Sequence, residues 1–159
     1  MFDERVYLVV SEQMLQKYFP ERYPECIEEF RKGADIREFS EMPFCWSLPN
    51  LHCMQILYHL FEREGVMLDC VHTSGYFDLH QQMAQENLVA CFSLSMYLPH
   101  LHELNLYNDN KLLVFPTKDL TETNPVYILT NKEKAYVEGT NEFKDLLKNV
   151  VKDLEVSDM

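Results

Sequence analysis

The chain has 159 residues, 47% hydrophobic and 13% aromatic, with only four glycines. This suffices for one ordinary globular core and not for two well-separated ones, and it is not the makeup of a disordered segment. A formal charge of −12, from 26 acidic against 14 basic residues, repels a phosphate backbone, and no basic stripe offsets it; this chain is not expected to grip DNA itself. No run approaches the roughly 18 apolar residues of a membrane span. Met1-Phe2-Asp3-Glu4-Arg5 lacks the basic-then-apolar layout of a secretion signal. The expectation is a soluble, cytoplasmic protein. Cys26, Cys45, Cys53, Cys70 and Cys91 are odd in number and without a CxxC, and most lie in apolar runs, which predicts buried free thiols.

Val6-Tyr7-Leu8-Val9-Val10 reads as a buried strand, with Ser11 placed to cap a following helix. Met14 to Lys32 is helical but broken by Pro20 and Pro24, which gives two short helices, and Gly33 stops the second. Pro43-Phe44-Cys45-Trp46 is a second strand. Leu51 to Glu64 is a helix with Cys53, Leu57, Leu60 and Phe61 on one face, closed by Gly65. Val66 to Val71 reads as a third strand, Thr73-Ser74-Gly75 as a turn, and Tyr76 to Glu86 as a helix carrying Leu79, Met83 and Ala84 inward. Leu88 to Phe92 is the fourth strand. Alternation of strands and helices with short connections predicts an α/β fold with a mostly parallel sheet covered by helices. A short helical piece at Ser95 to Leu101 precedes two more strands, Lys111 to Phe115 and Pro125 to Leu129. A last helix from Asn141 to Leu154 carries an apolar stripe of Phe143, Leu146, Leu147, Val150, Val151 and Leu154 that must dock on something, and the acidic tail beyond Leu154 reads as disordered.

The sequence has no phosphate-binding glycine loop, no nucleophile elbow and no HExxH. His52 beside Cys53, Cys70 with His72, and His100 with His102 each lack a further ligand one helical turn away, so no metal is expected. The carboxylate pairs Glu28-Glu29, Glu62 with Glu64 and Asp119 with Glu122 sit in polar stretches that read as solvated faces, and Cys45, Cys53 and Cys91 read as core. No catalytic residue and no cofactor is expected. What stands out is polar residues at strand ends: Ser47 with Asn50, Thr73 with Ser74, and Ser93. In parallel α/β sheets ligands sit at such ends, where the next helix offers free N–H groups and a partial positive charge. Each of these residues could instead simply cap its helix; their convergence would suit a small anion or polar metabolite.

These residues, with Pro43-Phe44, Met83-Ala84 and Leu88 to Phe92, resemble the second lobe of LysR-type effector-binding domains. Leu113-Val114-Phe115-Pro116, Pro125 to Leu129 and the closing helix resemble that family's return to its first lobe. Where the family writes A-A-G-x-G-[IV]-A-[LV]-L-P, this chain has Ala84-Gln85-Glu86-Asn87-Leu88-Val89-Ala90-Cys91-Phe92-Ser93, without either glycine or the proline. The resemblance implies a periplasmic-binding-protein-like fold, with lobe two at residues 2–102 and an incomplete lobe one at 103–159. It implies a small effector, expected to be anionic, facing Ser47, Thr73, Ser74 and Phe115, with Ser93 nearby. It also implies DNA contact only through a helix-turn-helix domain that this sequence lacks, and a chain that is a fragment of the family's full length; the open strand edges and uncovered last helix this leaves predict an oligomer, most simply a homodimer. A small-molecule enzyme on a flavodoxin-like sheet and a ligand-free assembly module are the alternatives.

Overall fold

The computed structural model describes residues 2–129, 131 and 139–157. Phe2–Glu4 forms a short strand, β1, that passes through Arg5 into β2, Val6–Ser11. All six residues of β2 are buried, as a β-branched and aromatic run requires when both faces of a strand are covered. Ser11 caps helix α1, Glu12–Tyr18, its Oγ accepting the Met14 N–H at 3.2 Å. The same hydroxyl donates to Asn87 Oδ1, which anchors this end of the sheet. Helix α2, Cys26–Phe30, is the second of the two short helices the prolines predict. A 3-10 turn at Ile36–Phe39 then leads to β3, Pro43–Trp46.

From β3 the chain alternates: α3 is His52–Glu64, β4 Asp69–Thr73, α4 Phe77–Gln85 and β5 Ala90–Leu94. Gly65 closes α3 at φ 63°, a left-handed turn that a residue with a Cβ adopts only at a cost. Helix α5, Leu98–Tyr107, is followed by β6, Leu112–Pro116, β7, Asn124–Val126, and α6, Thr140–Ser157. The main sheet has the order β4-β3-β5-β2-β6, with β3 parallel to β4 and β5. β1 and β7 form a separate antiparallel ribbon, Phe2 opposite Val126.

Four details depart from the sequence reading. β2 runs against both β5 and β6, so the sheet is mixed around its most buried strand; an apolar run carries no record of direction. β6, expected among strands returning to another lobe, is hydrogen-bonded along β2 from Tyr7–Pro116 to Ser11–Leu112, and the expected division after residue 102 falls inside α5. β4 begins three residues later than expected, and Met67, expected to lie within it, is 87% exposed. α6 continues to Ser157, through part of the expected disordered tail.

The larger core layer packs Phe30, Phe39, Phe44, Phe92 and Phe115 with Leu8, Leu57 and Leu60 between the sheet and α1 to α3. Edge contacts tie it together, with Phe30 to Phe115 at 5.6 Å and Phe30 to Phe39 at 4.8 Å between ring centroids. The other face packs Val9, Cys45, Cys91, Leu112, Ala84 and Leu101. The apolar stripe of α6 is instead exposed at Phe143, Leu146 and Val150; its Val151 and Leu154 lie outside the residues whose side chains are described. Truncating a fully buried ring removes its transfer energy and leaves a cavity. Phe115→Ala is therefore expected to cost about 3–5 kcal/mol of unfolding free energy, read as a lowered urea midpoint at unchanged slope.

Candidate functional site

Strands β3, β4 and β5 are parallel, so their C-terminal ends lie along one edge of the sheet, and the start of β2 joins them because that strand runs the other way. The β3–α3 loop and the β4–α4 turn meet there. Ser74 donates its backbone N–H to the Trp46 carbonyl at 3.0 Å. Gly75 approaches the loop so closely that a Cβ on it would lie 3.3 Å from Leu48 Cδ1. Ser47 and the Thr73-Ser74 pair are thus neighbours, as their positions in the sequence predict.

None of the singled-out residues caps a helix. α3 starts from Leu51 and α4 from Tyr76, neither with a side-chain cap, and the 3-10 turn at Ser95–Tyr97 that opens α5 starts uncapped from Leu94. The starts of α3 and α4 therefore present amide N–H groups at this edge, whereas at the third the Ser95 N–H donates to the Arg5 carbonyl at 3.0 Å. Ser47 is buried, and its hydroxyl has no hydrogen bond among the described residues. Thr73 is exposed, its Oγ1 3.5 Å from Cys70 Sγ. Ser74 accepts the Tyr76 N–H at 3.3 Å and shares a 2.9 Å hydrogen bond with His80 Nε2.

Two predicted positions fall elsewhere. Ser93 lies within β5 rather than after it, and its Oγ accepts Gln81 Nε2 at 3.0 Å in the buried interface with α4. The hydroxyl at the strand's end is Ser95, which accepts the Arg5 N–H at 3.1 Å. Phe115 is fully buried against Phe30 and presents no surface to a ligand.

Sequence reading missed Glu4 and His80. Glu4, on β1, is 1% exposed; its Oε2 accepts Asn124 Nδ2 at 2.7 Å across the ribbon, while Oε1 makes no well-formed hydrogen bond. Burial raises its pKa, and Asn124 and the Met96 amide oppose the rise. His80 is buried on α4, and desolvation, with His72 adding repulsion, lowers its pKa to about 4. Its Nδ1 has no partner, so no carboxylate orients the ring and the Ser74–His80 pair lacks the third member of a nucleophile-activating set. Burial also raises the Cys53 thiol, and a hydrogen bond with Cys45 together with complete burial pushes Cys91 well up, which suits packing and not nucleophilic attack. The signal for Glu4 was an acidic pair, Asp3-Glu4, just before an apolar strand, and for His80 a spacing of three from Phe77 and four from Ala84.

The sequence matches no model of a known protein family and no curated protein. Solved structures do match the fold. The effector-binding domain of QuiR, in complex with shikimate, superposes with a TM-score of 0.59 over 90% of this chain and 59% of that one, at 10% identity. HinK, a LysR-family transcriptional regulator from Pseudomonas aeruginosa, superposes with a TM-score of 0.57 over 91% of this chain and 44% of that one, at 13% identity. The chain thus spans about half the length of these structures. Its fold is the periplasmic-binding-protein-like α/β fold of LysR-family effector-binding domains. Among the described residues no helix is long and apolar enough to cross a membrane.

A histidine held neutral when folded but free to take a proton when unfolded stabilises fully above its unfolded pKa of about 6.5, and that contribution is lost as pH falls toward 4. The wild-type chain is expected to lose roughly 2–3 kcal/mol over that window through His80. In His80→Gln the loss of stability between pH 6.5 and 4, followed by urea titration, is smaller by that amount.

Proposed function

We propose that this chain is the ligand-sensing part of a LysR-type transcriptional regulator and that its effector binds along the edge where β3, β4 and β5 end. The observation that carries this reading is the pair of uncapped helical starts, those of α3 and α4, beside Ser47, whose hydroxyl makes no hydrogen bond with the described residues. The first N–H groups of a helix have no partner within it, and a small oxygen-bearing ligand supplies acceptors for them. The fold likeness to a domain solved in complex with shikimate supports a small-molecule effector. An effector with an anionic group suits the start of α3, which has no acid in its first turn; α4 already carries Asp78 there, and Glu4 answers the Met96 amide at the third. Ser47, Thr73 and Ser74 are the contacts we assign.

The ribbon of β1 and β7 is, on this reading, the double crossing to a first lobe. The sensing lobe then runs from Arg5 to about Thr123, since β6 belongs to its sheet. The exposed stripe on α6, with Tyr127 and Leu129 also exposed, is covered by the rest of the first lobe or by a second chain. We propose a homodimer, a cytoplasmic location, a regulatory and not catalytic role, and DNA binding through a separate helix-turn-helix segment.

The reading is tested by thermal shift against hydroxylated and simple carboxylates, shikimate among them. A ligand at a hundred times its Kd stabilises the native state by about 2.7 kcal/mol, and the rise in Tm is expected to vanish in Ser47→Ala while the unliganded Tm stays within a few degrees. A rise that survives Ser47→Ala places the ligand elsewhere and counts against this edge. Light scattering at micromolar concentration is expected to give twice the mass of the chain; a single-chain mass counts against the dimer.

A further inference from the structure

The ribbon divides the working edge. On one side Glu4 reaches the Met96 amide and the row of helical starts. On the other, a cavity of about 320 Å³ opens between the start of β2 and the connection from β6 to β7, lined by Arg5, Val6, Pro116, Thr117, Thr121 and Thr123 among others. Strands lie about 4.8 Å apart, so this cavity is roughly 12 Å along the edge from Ser47. Its volume is at the lower end of small-molecule sites, which begin at about 300 Å³.

Three features give it a chemical preference. Arg5 lines the cavity, and its guanidinium makes no ion pair or hydrogen bond with the described residues, in a chain of charge −12 where acids outnumber bases. Thr117 is 6% exposed and its Oγ1 has no hydrogen-bond partner, while Thr121 and Thr123 add two hydroxyls to the wall. The one carboxylate on the wall, Glu122, is engaged elsewhere: Oε1 pairs with Arg63 Nη1 at 3.4 Å and Oε2 accepts the Thr121 N–H at 3.1 Å. Arg63 Nη2 also donates to the Asp119 carbonyl at 2.6 Å, tying the connecting loop to the end of α3. The wall is therefore held in place, with its cation and a buried hydroxyl unspent.

We infer that this cavity is a second ligand site, selective for a small oxyanion, carboxylate or phosphate, with Arg5 as the charge partner and Thr117, Thr121 and Thr123 as donors. It is distinct from the effector edge proposed above and does not depend on that reading. Its walls are the two passages by which the chain enters and leaves the main sheet, Arg5 on one and residues 117–123 on the other. An anion bound to both fixes one passage against the other.

The test titrates the whole chain, labelled with 15N, with inorganic phosphate and separately with malonate, against chloride at matched ionic strength. Saturable amide shifts are expected at Arg5, Thr117, Thr121 and Thr123 with one or both oxyanions, and which one saturates first identifies the head group. Arg5→Gln removes a charge-assisted hydrogen bond and is expected to weaken binding about tenfold to a hundredfold; Ser47→Ala leaves it unchanged. Because Arg5 is exposed, the variant is expected to keep the wild-type spectrum elsewhere, and Thr117→Val offers a second, isosteric loss of donor. The inference is overturned by shifts that do not saturate below about 50 mM, a concentration at which a Kd of millimolar order would be evident. It is also overturned by affinity unchanged in both Arg5→Gln and Thr117→Val, or by shifts confined to the start of α3.

Discussion

β2 lies between β5 and β6 with all six residues buried, and it runs against both neighbours. Its first residue, and not its last, therefore lies at the edge where β3, β4 and β5 end. Everything that enters the sheet through β2 is delivered to that edge: the β1–β7 ribbon, the Glu4 carboxylate and the Arg5 guanidinium. Had β2 been parallel to β5, the ribbon would sit at the opposite edge, beside the knot of Ser11, Asn87 and Asn110. The depth of β2 makes that arrangement hard to change. A one-residue slip would turn Leu8 and Val10 out of the phenylalanine layer and Val9 out of the cysteine layer at the same time.

The electrostatics of the edge follow from what the helices leave undone. α1, at the far end, is capped by Ser11, so it offers nothing to a ligand. α3, α4 and the turn before α5 start without side-chain caps; α4 carries Asp78 in its first turn and the last has Glu4 beside it, while α3 has no acid in its first turn. A buried Glu4 with one unpartnered oxygen is unfavourable in isolation. It is tolerated because Asn124 and the Met96 amide oppose the desolvation that raises its pKa. Neutral His80 holds Ser74 from behind without adding charge. The open positive end is thus that of α3, which follows Ser47 in the chain.

Elements with one dominant periodicity were legible in the sequence. β2 is a plain apolar run, and α3 has an apolar face with a glycine stop, so both stand where the spacing puts them. α4 was legible as a helix but not in its orientation. Its buried positions are Phe77, His80, Gln81, Ala84 and Gln85, a regular three-and-four spacing filled with polar side chains, while Leu79 is 38% exposed. The interface it packs on carries Ser74 and Ser93, so His80 and Gln81 are turned inward by hydrogen bonds rather than by hydrophobicity. β4 was displaced for the converse reason: it is an edge strand, and Met67 and Val71 near it are exposed although apolar. Ser47, Thr73 and Ser74 could be placed at the sheet's edge because a strand-to-helix turn marks one. Phe115 was misplaced because resemblance gives position along a strand and not which face a side chain takes. Glu4 and Arg5 lay at the head of the chain, outside any pattern that short-range periodicity can detect.

The ribbon sets how such an edge can respond to a ligand. β1 and β7 are three residues each, paired from Phe2–Val126 to Glu4–Asn124. Two strands of that length do not hold their own arrangement in water. The Glu4–Asn124 hydrogen bond ties the ribbon across, and burial of Glu4 ties it to the start of the turn before α5. The angle at which the ribbon leaves the sheet is thus fixed by a few polar contacts, all at the edge where ligands are proposed to bind. A ligand can shift a conformational equilibrium only by the difference in its affinity for the two states. Contacts of about 1 kcal/mol each, placed where the chain crosses twice, are small enough for a single bound anion to outweigh. The main sheet, with β2 buried on both faces and paired on both edges, is held by many more contacts than the ribbon, whose ties are those of Glu4 and Asn124.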